Sequence, residues 1–234
     1  MSSFEDLSFP RESFSGTARL FPLPNLVLFP HVMQPLHVFE ARYRLLLEDA
    51  LAGDRLMAMA LLAPGWQKDY EGRPPLYPMA CLARVTTYHR LEDGTYNLLI
   101  LGLRRARLLR ELQPLKSYRE AEVELCEEGP PPEDGLLRGP LQRRLREALL
   151  RTLPMLQEAQ EQMDQLLASD VPLGVLTDVL CFMLNVDVGR KQALLAETNV
   201  HRRAELLLTH MAGAAGGAFN PCLSGGFPPP FSAN

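Results

Sequence analysis

The side chains that could do chemistry are few in this sequence, and their spacing works against it. Lysine occurs only as Lys68, Lys116 and Lys191, none after a glycine. A Gly-x-x-x-x-Gly-Lys-Ser/Thr loop that cradles phosphates is therefore missing, and with it nucleotide hydrolysis of that type. The nearest approach to a Gly-x-Ser-x-Gly nucleophile elbow, Cys222–Gly226, lies in a Gly/Pro-rich tail rather than between a strand and a helix. His31, His37, His89, His201 and His210 never fall at metal-ligand spacing with one another or with a cysteine. His201 and His210 share a helix pattern, but nine residues at 100° each put them on opposite faces. The carboxylate neighbours Glu48-Asp49, Glu92-Asp93 and Glu127-Glu128 read as surface pairs, with nothing to split them into acid and base. Arg104, Arg105, Arg107 and Arg110 form the one basic cluster, expected on a solvated strand face. We expect no catalytic residue, no metal and no cofactor.

What remains is a recognition surface. Trp66, the only tryptophan, shares the segment Ala63–Pro78 with Tyr70 and Tyr77, and four prolines and two glycines make that segment a loop. Aromatic rings on a constrained loop are common anchors of interfaces. The competing expectation is that Trp66 folds back and plugs the end of a barrel. Phe29 and Met33, between prolines further upstream, are candidate contacts for the same surface, with barrel core as the alternative.

The elements that must position these residues divide into two kinds. Short β-type runs open the chain at Ala18–Phe21, Leu26–Phe29 and Leu36–Phe39, separated by Pro22, Pro24, Pro30 and Pro35. Prolines this dense suit short or edge strands of a meandering barrel. Tyr43, Leu46, Leu47, Ala50 and Leu51 form one apolar stripe, predicting an amphipathic helix over Glu40–Leu51 that stops at Gly53. Arg55–Leu62 reads as a buried strand. Met79–Arg90 and Thr95–Leu101 flank Asp93-Gly94, a strong hairpin signal. Arg104–Leu112 and Tyr118–Leu125 supply two more strands.

The composition then changes. Residues 128–135 hold three consecutive prolines among acidic residues and read as a linker, after a first subdomain spanning 17–127. Residues 136–212 read as a helical bundle. Leu141, Leu145, Ala148, Leu149 and Thr152 make one stripe, and Leu156, Ala159, Met163, Leu166 and Leu167 make the next. Pro172 opens a third helix through Leu184. Asp187 can cap a fourth ending near Glu197, and Thr198 or Asn199 can cap the last. Residues 1–16 are expected to be a loose arm and 213–234 a disordered tail.

Bulk properties narrow the class. The 234 residues are 47% apolar and 22% charged, which is ordinary for a globular protein. A net charge of −4 argues against a dedicated nucleic-acid binder, which needs a positive face. No run of apolar residues reaches the roughly 18 of a membrane span, and no export signal is read at the N-terminus. Four scattered cysteines suit reduced thiols, so we expect a cytoplasmic protein without membrane partners.

Pro-x-x-Asn-x-Val-Leu-Phe-Pro at Pro22–Pro30 and Pro-Leu-His-Val-Phe-Glu-Ala-Arg-Tyr at Pro35–Tyr43 resemble the N-terminal domain of the Lon protease family. Ile100-Leu-Gly-Leu-Arg-Arg-Ala-Arg-Leu108, Lys191–Glu197 and Arg202–Leu208 extend the likeness in the family's order, from about Thr17 to Met211. It is similar to stand-alone bacterial forms of that domain. The resemblance implies an α+β fold, a PUA-like β-pseudobarrel followed by a helical bundle. It also implies a non-catalytic module that recognises unfolded or exposed polypeptide, an adaptor serving a protease or chaperone. Proteolysis and ATP use do not transfer, because the sequence lacks the phosphate loop and a Ser–Lys pair's domain. An RNA-binding module and a small-molecule site between barrel and bundle are the alternatives.

Overall fold

The structure is a computed structural model, described here for residues 9–128, 138–152 and 171–213. The expected linker beyond residue 128, the second helical stripe over 156–167, the tail and the first eight residues of the N-terminal arm lie outside the described residues. The chain divides after Cys126 into two compact units.

Six strands build the first unit: β1 (Thr17–Leu23), β2 (Met33–Val38), β3 (Leu56–Leu61), β4 (Met79–Arg90), β5 (Tyr96–Glu111) and β6 (Arg119–Leu125), with α1 (Ala41–Ala52) between β2 and β3. They are ordered β2-β5-β4-β3-β1-β6, and a further β5–β6 pairing closes the ring, leaving β2 outside it as an edge. All pairings are antiparallel except β1 with β3, where Leu20 sits opposite Ala58. A parallel neighbour needs a crossover, and the stretch containing α1 supplies it. The ring is narrow, so its interior is lined largely by small residues: Ala58, Ala60, Ala80, Ala106 and Ala121 pack with Leu20, Leu82 and Val123. β3 is buried along its whole length, which explains why its sequence, Leu-Met-Ala-Met-Ala-Leu, shows no polar alternation.

Two expected strands are corrected. Leu26–Phe29 is irregular although its apolar residues Val27, Leu28 and Phe29 are buried. Prolines at 22, 24 and 30 remove ladder donors, and the chain docks through single backbone bonds instead: His31 N donates to Gly102 O at 2.8 Å and Gly102 N to Val32 O at 2.9 Å. Thr95–Leu101 and Arg104–Leu112 are one strand, β5, rather than two. It pairs with β2 as far as Leu101 and with β6 from Ala106. A register shift at Leu82/Ala83 sets Leu103 between these two halves, the bulge that lets a single strand serve both. The same irregularity buries Arg105, at 3% exposure, so the arginine cluster is not uniformly solvated as expected.

The hairpin forms at the predicted place. Gly94 takes φ +79°, and Asp93 Oδ1 accepts from Thr95 N and Oγ1 at 2.9 and 2.6 Å.

The second unit contains α2 (Arg138–Thr152), α3 (Leu173–Met183), α4 (Val188–Ala196) and α5 (Val200–Gly213). Asp187 caps α4 by accepting from Arg190 N, and Asn199 caps α5 by accepting from His201 N and Arg202 N. Arg203 of α5 is fully buried and binds Glu128, Asp178 and Thr177 at 2.5, 3.2 and 3.3 Å, with a further bond to Glu197 O. It thus ties α5 to α3 and to the segment that opens this unit. Among the described residues, no helix is long and apolar enough to cross a membrane.

Candidate functional site

The aromatic loop leads to a ladder of stacked rings rooted in the barrel unit. Phe21 of β1 is buried and stacks on Tyr43 of α1, with centroids 4.4 Å apart. The Arg42 guanidinium lies 4.8 Å from the Tyr43 centroid and 4.8 Å from that of Tyr70. Trp66 then meets Tyr70 edge-on at 5.6 Å. The order Phe21, Tyr43, Arg42, Tyr70, Trp66 places one cation between two pairs of aromatic rings, an arrangement attractive at each step. Residues Trp66–Asp69 form a 3-10 turn after Gly65, whose φ of +91° starts it.

Glu40 holds the ladder in place. It occupies the N-cap of α1 but makes no capping bond, because its carboxylate is used elsewhere. Oε1 accepts from Tyr70 Oη at 2.7 Å, and Oε2 accepts from Arg42 Nε at 3.0 Å. Arg42 Nη1 also donates to Tyr70 O at 3.3 Å. Arg42 Nη2 is buried, 2.8 Å from Glu40 Oε2, but off the line of its N–H bonds and without a hydrogen-bond partner.

Beside the ladder runs a cleft of about 700 Å³, within the size range of ligand sites. Tyr43, Pro22 and Leu45 provide apolar wall, and Arg42, Arg73, Lys116 and Arg119 provide cations. A dimple that includes Tyr70 adjoins it, sharing Pro22, Arg42, Tyr43, Gly72 and Arg119. Lys116 Nζ and Tyr118 Oη both donate to Asp49 Oδ2, at 2.5 and 2.6 Å. Those two bonds hold the Asp49 carboxyl below the usual carboxylate range, and the Asp49 bond raises Lys116. Arg119 grips both oxygens of Glu111 and donates to Pro74 O at 2.8 Å. Burial pushes the phenols of Tyr43, Tyr70 and Tyr118 upward, so each keeps its proton at neutral pH.

The structure separates the five residues singled out from sequence. Trp66 and Tyr70 meet, both half-buried, with Trp66 at the outer end of the ladder. Tyr77 lies where the loop returns to the barrel, its N–H donating to Leu61 O at 2.9 Å. Met33 is 50% exposed at the start of edge strand β2, away from the residues lining the cleft. Pro35 in that strand lacks a donor and its carbonyl accepts from Gln34 Nε2, which blunts the edge for strand addition. Phe29 is corrected: at 0% exposure it is core and cannot contact a partner, because its segment is pressed against Gly102. Glu40, Arg42, Tyr43, Arg73, Lys116 and Arg119 were missed as site residues. The first three lie inside the Phe-Glu-Ala-Arg-Tyr motif, whose alternation of charge and ring was the available signal. The others come from distant segments and carry none.

The family model described as the ATP-dependent protease La (LON) substrate-binding domain matches residues 17–213. Lon protease 2 of Desulfotalea psychrophila is 31% identical over 190 residues, covering 81% of this chain and 24% of that protein. Lon protease of Rhizobium meliloti is 27% identical over 208 residues, covering 85% and 24%. The chain therefore spans about a quarter of the length of these curated relatives. Among solved structures, the N-terminal domain of Mycobacterium avium complex Lon protease superposes with a TM-score of 0.65 at 16% identity, covering 84% of this chain and 98% of that one. The Lon N-terminal domain protein from Xanthomonas campestris gives 0.57 at 27% identity, covering 82% and 97%.

Proposed function

We propose, because this chain belongs to the ATP-dependent protease La (LON) substrate-binding domain family, that it is a polypeptide-recognition module. In this reading it holds exposed or unfolded segments at the Trp66–Tyr70 end of the ladder and passes them to a separate protease or chaperone. The observation that carries the reading is the ladder itself. A half-exposed tryptophan backed by a cation and three further rings is pre-organised, so little side-chain entropy is lost when a partner covers it. Among the described residues, Cys81, Cys126 and Cys181 are in no disulfide, which suits a reducing compartment such as the cytoplasm.

Trp66 is the only tryptophan in the chain, so its emission reports on the site directly. Titration with a reduced, alkylated protein that lacks tryptophan should shift that emission to the blue. Trp66→Ala should weaken binding by about 2 kcal/mol or more, as hot-spot truncations do. Its effect on stability should stay near 1 kcal/mol, because the ring ends the ladder rather than supporting it. An unchanged affinity in Trp66→Ala would remove the contact surface from consideration.

A further inference from the structure

We infer that the cleft beside the ladder takes the acidic side chains of an extended polypeptide segment. The inference rests on the polypeptide-binding reading above and adds the class of segment.

The charge layout points there. Arg42, Arg73, Lys116 and Arg119 line the cleft against only Glu40 and Glu71. The other two counterions, Asp49 and Glu111, are outside the lining and pair with Lys116 and Arg119. The lining thus carries four cations against two carboxylates in a chain of net charge −4, and low-dielectric walls focus the field of such a lining.

Unspent donors make the same point atom by atom. Arg42 Nη2 is enclosed 2.8 Å from Glu40 Oε2, so Arg42 contributes charge to the lining while Arg73 and Lys116 contribute the reachable donors. Its guanidinium is fixed between Tyr43 and Tyr70, which holds that charge in place beside the cleft. Arg73 is held loosely: its Nη1 reaches Leu112 O at 3.4 Å and lies 3.7 Å from Glu111, whose oxygens Arg119 already engages. Lys116 has three donors, and Asp49 takes one of them. Meanwhile Tyr43, Pro22 and Leu45 offer apolar wall to the methylene stems of Asp or Glu. A nucleic-acid strand fits less well, because its unbroken row of phosphates would have to pass Glu40 and Glu71.

The test uses the full chain and two labelled peptides, amidated at the C-terminus and matched in length and apolar content. One carries Glu where the other carries Gln. Fluorescence anisotropy should show the Glu peptide binding about tenfold tighter or more, as a charge-assisted hydrogen bond with Arg73 or Lys116 would give. The advantage should shrink as salt rises. The double variant Arg73→Gln/Lys116→Gln, checked by circular dichroism for an intact fold, should lose the advantage yet still bind the Gln peptide. Equal affinities for the two peptides would overturn the acidic assignment and leave polypeptide binding standing. So would failure of both peptides when the reduced, alkylated protein still binds. Failure of all three ligands would overturn both readings. An advantage that survives the double variant would move the acidic site out of this cleft. An RNA oligonucleotide that displaces the Glu peptide at lower concentration than unlabelled Glu peptide would replace the acidic segment with a phosphate chain.

Discussion

Gly102 is the point at which one added methyl group should matter most. A Cβ built there would sit 2.1 Å from Phe29 O, 2.9 Å from Phe29 C and 3.2 Å from Cys81 Sγ. The obstacle is backbone, so no rotamer change relieves it, and the Phe29 carbonyl would have to retreat by about 1 Å. Two hydrogen bonds oppose that retreat, His31 N to Gly102 O and Gly102 N to Val32 O. Overpacking a core position costs about 1–3 kcal/mol, and each weakened backbone bond adds about 0.5–1.5 kcal/mol. Gly102→Ala should therefore lose about 2–6 kcal/mol, a large share of a typical domain's roughly 5–15 kcal/mol. Urea unfolding followed by far-ultraviolet circular dichroism would show it as a midpoint lowered by roughly 1 M or more, given slopes of about 1–3 kcal/mol per molar. Gly139→Ala, where a Cβ meets nothing within 4 Å, should change stability by no more than about 0.5 kcal/mol. A Gly102→Ala protein as stable as the parent would refute the close-approach argument.

Two further outcomes follow from the ion pairs. Arg203→Met should destabilise the helical unit by about 3–5 kcal/mol, because Asp178, itself fully buried, loses its cation; adding Asp178→Asn should restore part of the loss in a thermal melt. Asp49 has its folded-state pKa lowered, so its contribution is complete above the ordinary carboxylate value of about 3.9 and is lost as pH falls from there through the lowered value. The stability difference between parent and Asp49→Asn should thus be largest near neutral pH and shrink in acid, and a difference constant with pH would contradict the Lys116–Asp49–Tyr118 arrangement.

The sequence alone determined the parts governed by local rules. The apolar stripe at Tyr43, Leu46, Leu47 and Ala50 is one face of α1 and is buried as its spacing requires. Asp93-Gly94 turns the chain because Gly94 takes a positive φ that few other residues tolerate and the Asp93 carboxylate accepts from Thr95. Asp187 and Asn199 cap their helices through bonds made within three residues. The α+β class, strands first and helices after, was legible for the same reason, and residues 17–213 match the family that the motifs resemble. Tertiary structure decided what depends on distant neighbours. Whether Leu26–Phe29 pairs as a strand, and whether β5 is one strand or two, turned on how Gly102 and Leu103 meet chain far away in sequence. The cleft is built from Arg42, Arg73, Lys116 and Arg119, which share no spacing; only closure of the barrel gathers them. Trp66 was visible as an aromatic on a loop, but its support was not, since periodicity records which face a residue takes and not which ring from another element will stack against it.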